Sequence, residues 1–108
     1  MLLVTQSDPA AVRDAARAGQ RLDAMGKKDV RLVVNRVNAR LYASMAVTID
    51  DVMDTAGLPL MGVVPEDRNV TLAAAFGKPL IQYTKRGAAR AYKAIAQRIQ
   101  GISVPLTL

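Results

Sequence analysis

The run Val30 to Val37, Val-Arg-Leu-Val-Val-Asn-Arg-Val, limits what this chain can become more than any other segment. Its centre, Leu32-Val33-Val34, is apolar at consecutive positions, so it lacks the polar stripe of a surface helix. The β-branched content marks a strand that is dry on both faces. Such a strand needs a layer of helices above it and another below.

The neighbouring segments supply those layers. Leu2-Leu3-Val4 is a short apolar strand. Asp8-Pro9 offers an N-cap followed by proline at the first helical position. Val12, Ala15, Ala16, Gly19, Leu22 and Met25 then recur at helical spacing, and Gly26 suits the stop. Arg13, Arg17 and Arg21 fall on the wet side of that helix. After the central strand, Asn38 to Val47 shows no clear period. Thr48, with Asp51 three residues on, is close to a capping box, and Gly57 ends a short helix. Leu60 to Val64 is the third strand, stopped by Pro65, and Asp67 caps a helix that ends before Gly77. A last helix is expected from about Lys85 to Gln100. Its apolar face would be Ala88, Ala91, Tyr92, Ile95, Ala96 and Ile99, with Arg86, Arg90 and Lys93 opposite and Gly101 closing it. Strands alternating with helices through short loops imply parallel strands with right-handed crossovers. The expectation is one α/β domain over residues 1–108, three strands wide with flanking helices.

Composition removes several chemistries. The 108 residues contain no cysteine and no histidine, which excludes disulfides, thiolate metal sites and a histidine base. No apolar run approaches the ~20 residues of a membrane span. Met1 to Val4 gives way at once to Thr5-Gln6-Ser7-Asp8, so the start is no signal peptide. A net charge of +6 is compatible with nucleic acid or anionic lipid, and equally with a solvated surface or a larger acidic partner.

Ligands of an open parallel sheet sit beyond the carboxyl ends of its strands. Three polar segments meet there: Thr5-Gln6-Ser7-Asp8, Asn35-Arg36 and Pro65-Glu66-Asp67. The Asn35 amide offers the donor and acceptor that a purine edge requires, or it satisfies nearby backbone. Arg36 stacks on a base, binds phosphate or is simply solvated. Backbone groups of Pro65-Glu66-Asp67 are placed to read a base edge, while the Asp67 side chain caps a helix. No Gly-rich loop with Lys-Ser/Thr occurs, and Gly77-Lys78-Pro79 lacks the preceding glycines. Asp50, Asp51 and Asp54 sit in the first turns of a helix, where acids favour the dipole.

VVNRV, GLPLMGVVPED, FGKPL and AYKAIAQRI, taken in order, resemble the C-terminal half of the MinD family of septum-site-determining ATPases. LLVTQSDPAAVRDAAR resembles the strand and helix after that family's second acidic nucleotide motif. The resemblance covers nearly the whole chain. It implies a deviant-Walker P-loop ATPase of the MinD/ParA group: a three-layer, mostly parallel sheet of which this chain is the C-terminal part. Asn35 and Arg36 would be the adenine-recognising strand end, and Pro65, Glu66 and Asp67 the loop bordering the base. Arg13, Asp14 and Arg17 would lie on the dimer and partner face. ATP with Mg²⁺ is implied for the full-length protein and no cofactor for this stretch alone. The phosphate loop and catalytic acids would lie in the half that precedes it, so the chain by itself is expected to be inactive and to have no catalytic residue. Division-regulator proteins are the implied partners. The implied location is cytoplasmic, peripheral to the bacterial inner membrane through a basic helix beyond Leu108. Self-association of the isolated chain is expected from its unpaired strand edge.

Thr5-Gln6-Ser7-Asp8 departs from the family's usual Thr-Thr-Pro-Glu turn, Lys78 stands where an acid is common, and Ser44-Met45-Ala46 lacks the usual Gly-Asp. Two other readings stay open at this point: a partition ATPase of the ParA type that binds DNA, and a non-catalytic interaction module.

Overall fold

The computed structural model describes residues 1–106. Its three strands, β1 (Leu2–Gln6), β2 (Arg31–Val37) and β3 (Leu60–Pro65), form a parallel sheet in the order β1-β2-β3. Among the described residues the helices are α1 (Pro9–Ala24), α2 (Ala39–Ser44), α3 (Ile49–Ala56), α4 (Arg68–Ala75), α5 (Leu80–Tyr83) and α6 (Ala88–Ile99).

β2 is central and belongs to two cores at once. Leu32 and Val34 point to one face, where they meet Val12 and Ala15 of α1 and Val52 and Ala56 of α3. Val33 points to the other, against Met61 and Val64 of β3 and Ala88 and Ile95 of α6. Helices on both faces make three layers, as the apolar run demands. Leu32 and Val34 are 0% exposed.

Side-chain caps fix the helix ends. The Asp8 carboxylate accepts from the Ala11 N–H at 3.1 Å with Pro9 at the first turn. Thr48 and Asp51 form a reciprocal capping box, at 3.1 and 2.8 Å. Gly57 stops α3 in the left-handed region, φ 68°.

Three expectations need correction. The aperiodic stretch after β2 folds into α2, because Asn38 caps it through the Leu41 N–H at 3.1 Å and Tyr42 buries inward. The four-residue α5 has no sequence signature in so short a span. The last helix begins at Ala88 rather than near Lys85, since Gly87 turns the backbone at φ 58° just before it. Of its expected apolar face, Ala88 and Ile95 are buried, whereas Tyr92, Ala96 and Ile99 are exposed. α6 lies over β3, and among the described residues no further layer outside it covers the rest of the stripe.

The two sheet edges differ. Along β3, the Arg98 guanidinium donates to the carbonyls of Met61 at 3.0 Å, Val104 at 3.0 Å and Pro105 at 2.9 Å, holding the terminal segment beside the strand. Among the described residues β1 has no neighbour on its outer side, and its Leu2 and Val4 are 40% and 61% exposed.

α6 approaches β3 closely because position 62 has no side chain. A Cβ there would stand 2.2 Å from Ile95 Cγ1. We expect Gly62→Ala to lower unfolding free energy by about 1–3 kcal/mol, the usual cost of overpacking. In a urea-unfolding cycle with Ile95→Ala, the double variant should lose less than the sum of the single losses. Additive losses would show that the two positions do not share this contact.

Candidate functional site

β2 leaves its regular pairing just after its buried centre. Val34 pairs with Val63, but the next pair is Val37 with Pro65, so β2 carries one residue more than β3 over this stretch. A bulge of this kind bends a strand and re-aims its side chains. Arg36 takes a left-handed backbone, φ 56°, which costs a non-glycine residue about 1–2 kcal/mol. Neighbouring bonds hold it there. The Ser7 hydroxyl donates to the Arg36 carbonyl at 2.9 Å, and the Glu66 N–H donates to the Val37 carbonyl at 2.8 Å. An Arg36–Glu66 ion pair at 3.5 Å adds little, because both side chains are more than half exposed.

Ser7 is braced in turn from the opposite layer. The Tyr42 hydroxyl donates to the Ser7 carbonyl at 2.7 Å, and Tyr42 is only 4% exposed. Burial raises the Tyr42 pKa above its ordinary value; the Ser7 side chain opposes this and the nearby Asp8 charge adds to it. Thr5-Gln6-Ser7-Asp8 therefore supports the rim instead of lining the cleft.

Asp67 serves two helices. One carboxylate oxygen accepts from the Asn69 N–H at 2.9 Å in α4, and the other from the Ala88 N–H at 3.0 Å in α6. Gly87 is required for this, since a Cβ there would come within 2.3 Å of that second oxygen. With both oxygens engaged, the side chain positions the loop, and only the backbone is left to face a ligand.

These devices converge on one cleft of about 520 Å³. Asn35, Arg36, Pro65, Glu66 and Asp67 line it together with Arg68, Val70, Thr71 and Tyr92. All five residues read from sequence as an adenine site are thus neighbours. The half-buried Asn35 carboxamide has no hydrogen-bond partner among the described residues, so both its donor and its acceptor are free for a ligand. Val70 and Pro65 supply apolar wall, and Tyr92 supplies an aromatic ring at the lip. Tyr92 escaped the sequence reading because helical spacing put it in the core stripe; its one hint was being an aromatic ring among alanines. Arg13, Asp14 and Arg17 stand elsewhere, exposed on α1, where Asp14 and Arg17 form a surface ion pair at 2.6 Å.

Among the described residues no cluster of acidic side chains could hold a metal ion, and no helix is long and apolar enough to cross a membrane.

No protein-family model matches the chain. A putative septum site-determining protein MinD from Nephroselmis olivacea is 38% identical over 106 residues, covering 96% of this chain and 39% of that protein. The septum site-determining protein MinD of Bacillus subtilis is 36% identical over 107 residues, 97% of this chain and 40% of its own length. In the Aquifex aeolicus MinC:MinD complex, the matching chain superposes with a TM-score of 0.91 at 27% identity, over 99% of this chain and 44% of the other. The chain matches the C-terminal part of MinD. It spans about two fifths of the length of the curated MinD relatives it matches, 39% and 40%. The three parallel strands and their helices are those of the MinD P-loop fold.

Within this MinD-type rim, Tyr42 is the testable brace. Tyr42→Phe leaves the Ser7 carbonyl without its partner and should cost about 1 kcal/mol at neutral pH. The raised pKa means that the folded state holds the phenolic proton more tightly than the unfolded chain. That contribution is complete below pH 10.0 and is lost as pH rises through the folded value. The stability gap between the parent and Tyr42→Phe, measured by urea unfolding, should therefore narrow at high alkaline pH. A gap that is constant or widens would contradict the assignment.

Proposed function

We propose that this chain supplies the adenine side of the nucleotide site in a MinD-type, septum-site-determining ATPase. One observation carries the reading. The Asn35 carboxamide is free and half-buried in a cleft at the carboxyl rim of a parallel sheet, where nucleotides bind in such folds. Asn35 would pair with the base edge, Arg36 and Tyr92 would flank it, and the backbone of Pro65, Glu66 and Asp67 would border it. The fit is chemical as well as spatial: one donor, one acceptor, an aromatic face and an apolar wall suit a purine better than a sugar or a peptide. ATP with Mg²⁺ would be the ligand of the assembled protein, the metal and phosphates being held by the half of the fold that carries the phosphate loop. Hydrolysis would be a property of that assembly, since phosphoryl transfer needs a phosphate cradle and metal ligands.

The names of the relatives favour division-site selection over DNA partition. MinC stands in complex with the Aquifex relative, which supports division regulators as partners here, with exposed Arg13, Asp14 and Arg17 on α1 as the proposed contact face. A cytoplasmic protein peripheral to the membrane is the matching location. The unpaired outer side of β1, with exposed Leu2 and Val4, is proposed as the seam to the rest of the sheet, and as the cause of self-association when the chain is alone.

Asn35→Ala in the assembled ATPase should weaken ATP binding by roughly 1–3 kcal/mol, the cost of leaving a polar partner unmet. Isothermal calorimetry reads this directly. Unchanged affinity would sink the adenine role, while the isolated chain should release no phosphate from ATP in either case.

A further inference from the structure

Asn35 and Arg36 are the two positions of β2 that the sheet holds least. The register with β1 ends at Gln6 opposite Asn35, so Arg36 lies beyond it. On the other side β3 pairs with Val34 and next with Val37, which leaves both residues without a β3 partner. Regular pairing is what fixes the direction in which a strand side chain leaves the backbone. Where it lapses, Arg36 takes its left-handed φ of 56°. A residue with a Cβ relaxes out of that region unless a bond opposes it.

The opposing bond reaches Arg36 from 29 residues earlier in the chain. Ser7, half-buried and one residue past the last β1–β2 pair, donates its hydroxyl to the Arg36 carbonyl at 2.9 Å. The Ser7 backbone is anchored in turn, because its carbonyl accepts from the Tyr42 hydroxyl at 2.7 Å. The exposed Arg36–Glu66 ion pair joins side chains and leaves this backbone free to turn. Val34 and Val37 on either side are both buried and paired with β3. Any relaxation at Arg36 must therefore be absorbed between them, at Asn35.

We propose that Ser7 is a positioning residue for base recognition: its hydroxyl holds the Arg36 backbone and so sets the direction in which the Asn35 carboxamide enters the cleft. This rests on the reading of Asn35 as the group that pairs with the base, and adds to it the group that aims it. Ser7 does not line the cleft, so it acts through Asn35 and not by touching a ligand. Aiming the carboxamide before a ligand arrives spares binding the cost of ordering it.

Ser7→Ala and Ser7→Thr in the assembled ATPase test the proposal, by calorimetry with ATP and with inorganic tripolyphosphate and by NMR of the Asn35 side-chain amide. Ser7→Ala should weaken ATP binding about 5-fold, the size of one neutral hydrogen bond. Tripolyphosphate, which has no base, should bind as it does to the parent. Ser7→Thr keeps the donor and should retain most of the ATP affinity. Without nucleotide, the Asn35 amide should give one sharp pair of signals in the parent and in Ser7→Thr, and broadened or doubled signals in Ser7→Ala. Ser44→Ala removes an exposed hydroxyl on α2, outside the cleft, that donates to the Arg40 carbonyl at 3.0 Å, and should change none of these readings. Equal losses of ATP and tripolyphosphate affinity in Ser7→Ala would overturn the proposal, as would a loss in Ser7→Thr as large as in Ser7→Ala. Asn35→Ala separates this claim from the one beneath it. If Asn35→Ala weakens ATP and Ser7→Ala does not, the base reading stands and the role of Ser7 falls. If Asn35→Ala leaves ATP affinity unchanged, base recognition by Asn35 falls and Ser7 has no base to position.

Discussion

Leu32, Val33 and Val34 can be dry only if helices cover both faces of the strand that holds them, and the rest of the molecule follows from that burial. Side chains alternate across a strand, so Leu32 and Val34 need one layer and Val33 needs another. α1 and α3 provide the first, α6 the second. The second layer depends on Gly62, since any Cβ there would collide with Ile95. Parallel pairing then brings the carboxyl ends of β2 and β3 side by side, which makes a rim available for chemistry. A half-wet antiparallel sheet would need neither the second layer nor the long crossovers, and would build no such rim.

At the rim, regular structure gives way to individually braced groups. The left-handed backbone of Arg36 is an unfavourable conformation held by Ser7, which is itself held by Tyr42. Strain of this kind persists where surrounding structure over-determines it, and it is concentrated at sites that have to present a side chain. What it presents here is Asn35, which lines the cleft with no side-chain hydrogen-bond partner among the described residues. Asp67 works by a different principle: one carboxylate caps two helices and so sets the loop against which a ligand would rest. Asp67 and Gly87 form a single device, because the second cap is possible only where residue 87 lacks a Cβ.

Much of this was legible from residue patterns. The buried strand, the caps at Asp8, Thr48 and Asp67, and the stop at Gly57 are local chemistry, and local chemistry is written in neighbouring residues. So was the meeting of Asn35-Arg36 with Pro65-Glu66-Asp67, since parallel strands align their ends. The misses lie where tertiary contact decides. Nothing within Asn38 to Val47 says that Tyr42 turns inward to reach Ser7. Tyr92 fits a helical core stripe, yet α6 has only β3 beneath it, so the ring emerges at the cleft. Arg98 reads as one more surface cation, but it clasps three carbonyls and fastens the terminal segment to β3. A side chain satisfied by distant backbone leaves no trace in its own neighbourhood.

The cleft as a base-binding site is most directly tested by nitrogen-resolved NMR of the assembled ATPase titrated with ATP, GTP and inorganic tripolyphosphate. ATP should shift the Asn35 side-chain amide together with the backbone signals of Arg36, Glu66, Asp67 and Tyr92. GTP should shift the Asn35 amide differently from ATP, because the guanine edge reverses the donor and acceptor pattern and the carboxamide has to turn over to meet it. Tripolyphosphate should leave the Asn35 amide unmoved. If ATP and tripolyphosphate produce the same shifts, or if the Asn35 amide stays silent at saturating ATP, the cleft does not read a base.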